Sequence, residues 1–254
     1  MSSHTTSTPT RGASPSRVST SPAPARTDSG GAASGPGATT ASVGPASGLT
    51  ASGAARVGTV SRRTVSRRTV RRHALPLVLG AVTWSVSSFV FGFNTKTAVG
   101  ITVQDLSGFA FQVGVMSLVL LQLRTAATGT GRGARIMLRV EQVLLTLAMV
   151  WSLVHGLVPS VRDAGWLAVL DIFWPLSMLG MFVIAIKIAV AGRWRGLARW
   201  WPLVAESWAV VSVPTFILSS QDVADVVGGT HLLLGYTTLG LILMARPHLV
   251  GARG

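Results

Sequence analysis

From residue 75 onward the chain alternates long apolar runs with short polar connections. Residues 75–93 are 19 consecutive positions without a charge, 106–123 are 18, and 142–158 are 17, the last extending backwards through Glu141 toward Met137. The run 166–191 is longer and carries Asp171 and Lys187 near its two ends; 201–219 and 229–245 complete the set. At a rise of about 1.5 Å per residue, each run covers the roughly 30 Å of a bilayer's hydrocarbon layer. The pattern predicts an all-α integral membrane protein, a bundle of six transmembrane helices with approximate spans 75–93, 104–123, 137–158, 166–191, 201–219 and 229–245. Pro175 and Pro214 are expected to interrupt the fourth and fifth of these, because proline removes a backbone donor and kinks a helix.

Residues 1–73 read differently. They contain no Phe, Trp, Tyr or Ile and a single Leu, Leu49. Runs of Ser, Thr, Ala, Gly and Pro cannot bury enough apolar area to offset the entropy of ordering a backbone. A disordered tail is therefore expected over 1–73, ending in an Arg-rich stretch, ahead of a membrane domain at 74–246 and a short C-terminus at 247–254.

Composition sharpens this division. Only 12% of the 254 residues are charged and mean hydropathy is +0.52, whereas a soluble domain is about one quarter charged. A single water-soluble globule is excluded. The absence of Cys removes disulfides, thiolate catalysis and Cys-ligated metal centres. The net charge of +14 is distributed unevenly. Seventeen Lys and Arg fall on the N-terminal flank, the second and fourth connections and the C-terminus, while the other connections hold only Lys96 and Arg162. Cytoplasmic loops are enriched in Lys and Arg, so a multi-pass cell-membrane protein with both termini in the cytoplasm is expected. That result requires an even number of spans.

Seven arginines lie between Arg56 and Arg72. A twin-arginine export signal is disfavoured because Arg71 breaks the apolar run after Ser66-Arg67-Arg68. Nucleic acid is not expected as a partner, since no aromatic residue interleaves the basic stretch. Anchoring on anionic lipid, at roughly 1 kcal/mol per Arg near the surface, accounts for it. Beyond the lipid bilayer, the partners open to such a bundle are a second copy of itself or another membrane protein. Trp166 on one side, and Trp194, Trp200 and Trp201 on the other, stand where an aromatic belt forms.

Ionisable residues inside spans are costly and mark function. Counting from the span ends, His155, Asp171 and His231 fall at one outer level, and Glu141, Lys187 and Glu206 at an inner level. The inner set reads as ion-pair glue, Glu206 with Lys187 or Glu141 with Arg139, or as a proton or cation relay. The outer set reads as interfacial histidines or as a protonatable transport site. Two imidazoles and a carboxylate can also hold a divalent metal, and two imidazoles a haem.

Catalytic motifs are thin. Ser177 and His231 occupy the spans in which an intramembrane serine protease carries its dyad, but the surrounding residues lack the G-x-S-G elbow, and no P-loop, dinucleotide fingerprint or H-E-x-x-H occurs. Gly228, Gly229, Gly235 and Gly240 read as close helix packing. No catalytic residue and no cofactor is assigned, and the metal question stays open. The sequence is read as a non-enzymatic membrane component, a small transporter or a subunit that modulates a partner. The alternative is a membrane-embedded haem- or metal-dependent redox enzyme built on His155, Asp171 and His231.

Overall fold

The first helix begins before the first apolar run. In the computed structural model, which describes residues 65–253, the Ser66 side chain accepts the Thr69 amide at 3.2 Å and starts α1, Arg67–Phe91. The tail expected over the preceding residues lies outside the described part. Its expected border at 73 moves to Ser66, because a capping serine and helix-tolerant arginines carry the helix out past the hydrocarbon. Thr97 caps α2, Ala98–Thr125, in the same way. The third span is α3, Arg132–Leu157.

The remaining three spans are each interrupted. The fourth, Gly165–Ala191, consists of α4, Gly165–Asp171, and α5, Phe173–Ala191. Pro175 cannot donate to the carbonyl of Asp171 four residues back, and the break falls at that point. The fifth consists of α6, Leu197–Glu206, and α7, Trp208–Leu218. Here the expectation fails, since Pro214 lies inside α7 and the break is at Ser207. The Ser207 hydroxyl donates to the Val204 carbonyl at 2.9 Å and lies 3.2 Å from His231 Nε2, competing with the helical ladder. The sixth span contains α8, Gln221–Leu232, a π-helical turn at Leu233–Thr237 and α9, Thr238–Ala245.

All regular elements among the described residues are helical, and six helices are long and apolar enough to cross a membrane. The protein is thus a polytopic, multi-pass membrane protein. Side chains such as Val90, Val190, Ile217 and Leu218 point away from the bundle, as the apolar outer surface of a membrane domain requires.

The spans are arranged as a ring in chain order. α1 packs on α2, α2 on α3, α3 on α5, α5 on α6, and α8 and α9 return to α1. Small residues set the tightest seam. A Cβ on Gly80 would stand 2.5 Å from the Ala110 carbonyl oxygen, and one on Gly114 would stand 2.7 Å from Leu77 Cα. With no side chain at either place, the two backbones touch, which is how helices associate without a hydrophobic driving force between them.

One end of the ring, carrying the 126–131 and 192–196 connections, is closed toward the bundle interior by buried side chains and bears a surface recess of about 460 Å³ between Arg193, Arg195 and the 248–253 segment. Trp194 is fully buried there and its indole donates to Thr125 Oγ1 at 3.0 Å. Trp201 donates to the Gly235 carbonyl at 2.9 Å. These two tryptophans are packing residues rather than belt anchors; Trp166 and Trp200 are the exposed ones. The two ends of the described residues meet at this same face, where the Arg253 amide donates to the Val65 carbonyl at 3.1 Å and Ser66 bridges Arg253. An even number of crossings follows from that contact.

Candidate functional site

At the opposite end, which carries the 92–97, 158–164 and 219–220 connections, the spans part around a cavity of about 410 Å³. α1 contributes Trp84, α5 contributes Trp174 and α7 contributes Trp208, with Phe93 from the first connection. The rings pack around Trp84, whose centroid lies 5.6 Å from Phe93, 5.4 Å from Trp174 and 5.8 Å from Trp208. Phe111 closes the floor 5.0 Å from Trp84. The contacts of Trp84 with Phe93 and Trp174 are edge-to-face, a favoured aromatic arrangement, and those with Trp208 and Phe111 are tilted by 41° and 31°.

The polar wall comes mostly from α2. Gln104, Asp105, Gly108 and Gln112 recur at helical spacing and share one face. Gln104 accepts the Ser87 hydroxyl at 2.7 Å and donates to the Gly92 carbonyl. Asp105 Oδ2 is 2.7 Å from His155 Nδ1, and the imidazole is stacked on Trp151 with the planes 12° apart. Arg162 donates to the carbonyls of His155 and Gly156 and to Thr102 Oγ1, tying the end of α3 to α2. Gln112 donates to Ser152 at 2.9 Å, but its Oε1 is buried with no partner among the described residues. Asp171 stands at the exposed rim of the cavity.

The outer set of residues is therefore divided. His155 and Asp171 face the same cavity region, one through its bond to Asp105 and the other as a wall residue. His231 does not join them. It bonds Ser207 and lines a separate apolar recess with Val204, Val226 and Leu234. The physical reason is the ring order, which places α8 between α7 and α1 and away from α3. No group of three or more metal-ligating side chains occurs among the described residues, and the two imidazoles are not arranged as one axial pair.

The inner set is also rearranged. Glu141 accepts the Ser177 hydroxyl at 2.5 Å and Glu206 accepts the Tyr236 hydroxyl at 2.5 Å; both glutamates are buried. Lys187 is exposed, and the one ion pair among the described residues is His155 with Asp105. The expected pairing of a glutamate with Lys187 or Arg139 is thus replaced by bonds to hydroxyls. Room for Glu141 comes from Gly180, where any Cβ would collide with its carboxylate. Tyr236 sits in the π-helical turn with its ring 4.8 Å from Phe111, so Glu206 lies just beneath the cavity floor.

Asp105 borders the uncharged run 106–123, so hydropathy alone does not mark it as a residue inside a span. Its signal was the polar stripe of Gln104, Gly108 and Gln112. The cavity tryptophans had a signal too, since Trp84, Trp151 and Trp208 lie inside their spans, away from the belt level at which tryptophan anchors a helix. Comparison with protein-family models, with curated proteins and with solved structures gives no match to this chain.

Proposed function

We propose that this protein is a non-enzymatic membrane component of the transporter type, which admits a small ligand into the cavity between its spans. The single observation behind this reading is the cavity itself, of about 410 Å³, walled by aromatic rings and a few convergent polar groups. Small-molecule sites have that composition and a volume of roughly 300–1,000 Å³. The distribution of Lys and Arg supports a cytoplasmic closed end, where the 126–131 and 192–196 connections lie, and a cavity that opens to the outside. Buried carboxyl groups within the spans, each on a hydroxyl, fit a bundle that changes conformation around a midplane site.

The lack of native cysteine makes the test direct. Single variants Gly108→Cys and Ser152→Cys are expected to react with a small membrane-impermeant thiol reagent added outside intact cells, while Ser177→Cys stays unreactive. Failure of both cavity cysteines to react, or equal reactivity of Ser177→Cys, refutes an outward-opening cavity. For orientation, a reporter active only outside the cytoplasm is expected to work when fused after Gln221 and not after Gly131; the reverse pattern inverts the topology.

A further inference from the structure

We propose that the cavity binds an organic cation, a substituted ammonium, held over tryptophan faces and balanced by Asp171. This deepens the transporter reading and rests on it. The chemistry follows from what the wall offers and what it lacks.

Trp84, Trp174 and Trp208 come from three different spans and line the cavity together, with Trp174 and Trp208 each packed against Trp84. The face of an indole is the negative part of its quadrupole, so rings grouped in this way attract a cation, and most strongly one with little hydration. Two carboxylates stand in the same wall, with no Lys or Arg among the residues that line it. Asp105 is engaged by His155 at 2.7 Å. Asp171 makes no hydrogen bond or ion pair among the described residues and shares only the longer-range field of His155, which is itself bonded to Asp105, so two carboxylates at this wall face one imidazole. At the other side the buried Oε1 of Gln112 is an acceptor with no donor. A buried acceptor of this kind is normally satisfied, and an ammonium N–H or a hydroxyl on the ligand supplies what it needs.

Competing ligand classes fit less well. An anion meets two carboxylates and no basic wall residue. A bare metal ion requires several oxygen or nitrogen ligands at close range, and no such cluster occurs among the described residues. A neutral apolar solute leaves Asp171 and Gln112 unanswered.

The test uses the full-length protein in lipid nanodiscs, titrated with choline, tetraethylammonium and benzyltrimethylammonium, with the intrinsic tryptophan fluorescence as readout. Saturable quenching by at least one cation is expected. The uncharged carbon isostere of choline, 3,3-dimethylbutan-1-ol, is expected to bind at least about tenfold more weakly than choline, and Asp171→Asn to weaken cation binding by a similar factor. Trp174→Leu should lose binding and Trp174→Phe should restore most of it, which a purely structural role of the ring would not produce. Trp200→Leu, at the closed end, should leave the titration unchanged. Equal affinity for choline and its isostere, or full affinity in Asp171→Asn, overturns the cation assignment, as does the absence of saturation with all three cations. In each of these cases the cysteine labelling still reports separately whether the cavity opens, so the ligand class and the transporter reading fail by different measurements.

Discussion

The two ends of the bundle are built from the same six helices and solve opposite problems. From mid-span toward the closed end, backbones touch at Gly114 and Leu77, an indole is fully buried on Thr125, and the two ends of the described chain are tied together. At the cavity end, bulky rings at Trp84, Trp174 and Trp208 face inward and hold the spans apart, with polar side chains filling the wall between them. The difference teaches where residue size acts. Small residues let helices close, and large aromatic residues, where they point inward, prevent closure and leave a polar recess behind.

The largest expected effect comes from breaking the small-residue seam of α1 and α2 that leads to the closed end. Gly114→Leu places a side chain where even a Cβ meets Leu77 Cα at 2.7 Å. It should cost about 3 kcal/mol or more and abolish a monodisperse peak on size exclusion. Gly133→Leu, with open space around it, should change thermal stability by no more than about 0.5 kcal/mol. Equal effects of the two would show that the seam does not hold the bundle.

Between the two ends, Tyr236→Phe removes the one hydrogen-bond partner that the Glu206 carboxyl has among the described residues. An unsatisfied buried group costs about 1–3 kcal/mol, so a lowered unfolding temperature in detergent is expected, and an unchanged one would mean that water or another side chain takes over. At the cavity, Ser152→Ala deprives Gln112 Nε2 of its acceptor and should cost about 1 kcal/mol, partly recovered in the Gln112→Leu double variant. A ligand that supplies a partner to Gln112 should shrink that loss, which calorimetry with and without choline would read. The smallest effect belongs to the surface of the closed end. Arg199 lies 4.7 Å above the Trp200 ring, an exposed contact worth at most about 1 kcal/mol. Trp200→Leu removes that ring, keeps the Arg199 bond to the Ala189 carbonyl at 2.7 Å, and should be nearly silent in chemical denaturation.

Much of this fold is legible in the sequence, because a bilayer demands apolar runs of a length that few other structures require. The six runs mark six spans. Their ends are less legible. α1 starts at Arg67 because a helix does not stop where hydrocarbon stops, and Ser66 rather than hydropathy decides its first turn. The break at Ser207 depends on a hydroxyl that finds both Val204 and His231, a coincidence of two spans that one span's sequence does not contain.

The site was legible only in its residue types. Depth counted from a span end places His155, Asp171 and His231 at a common level, but level is not adjacency. Which helices are neighbours is set by contacts such as Phe89 and Ser85 with Gly229 and Trp208 with the Gly228 carbonyl, and those put α8 beside α1 and α7. Likewise Glu141 and Glu206 read as halves of ion pairs because charge is the visible property of a glutamate in a sequence. In the structure each finds a hydroxyl instead, from Ser177 and Tyr236, and Lys187 remains at the outer surface of its helix.

The contact between Val65 and Arg253 gives the domain a cyclic order with no privileged starting point. Each span is flanked by its predecessor and successor, and the sixth is followed in space by the first. A circular permutant that joins Arg253 to Val65 through a short Gly-Ser linker and opens the ring within 126–131 keeps six crossings, the same neighbours and both new ends on the same face. The 65–253 unit is thus a closed necklace of helices, cut at one of several equivalent places.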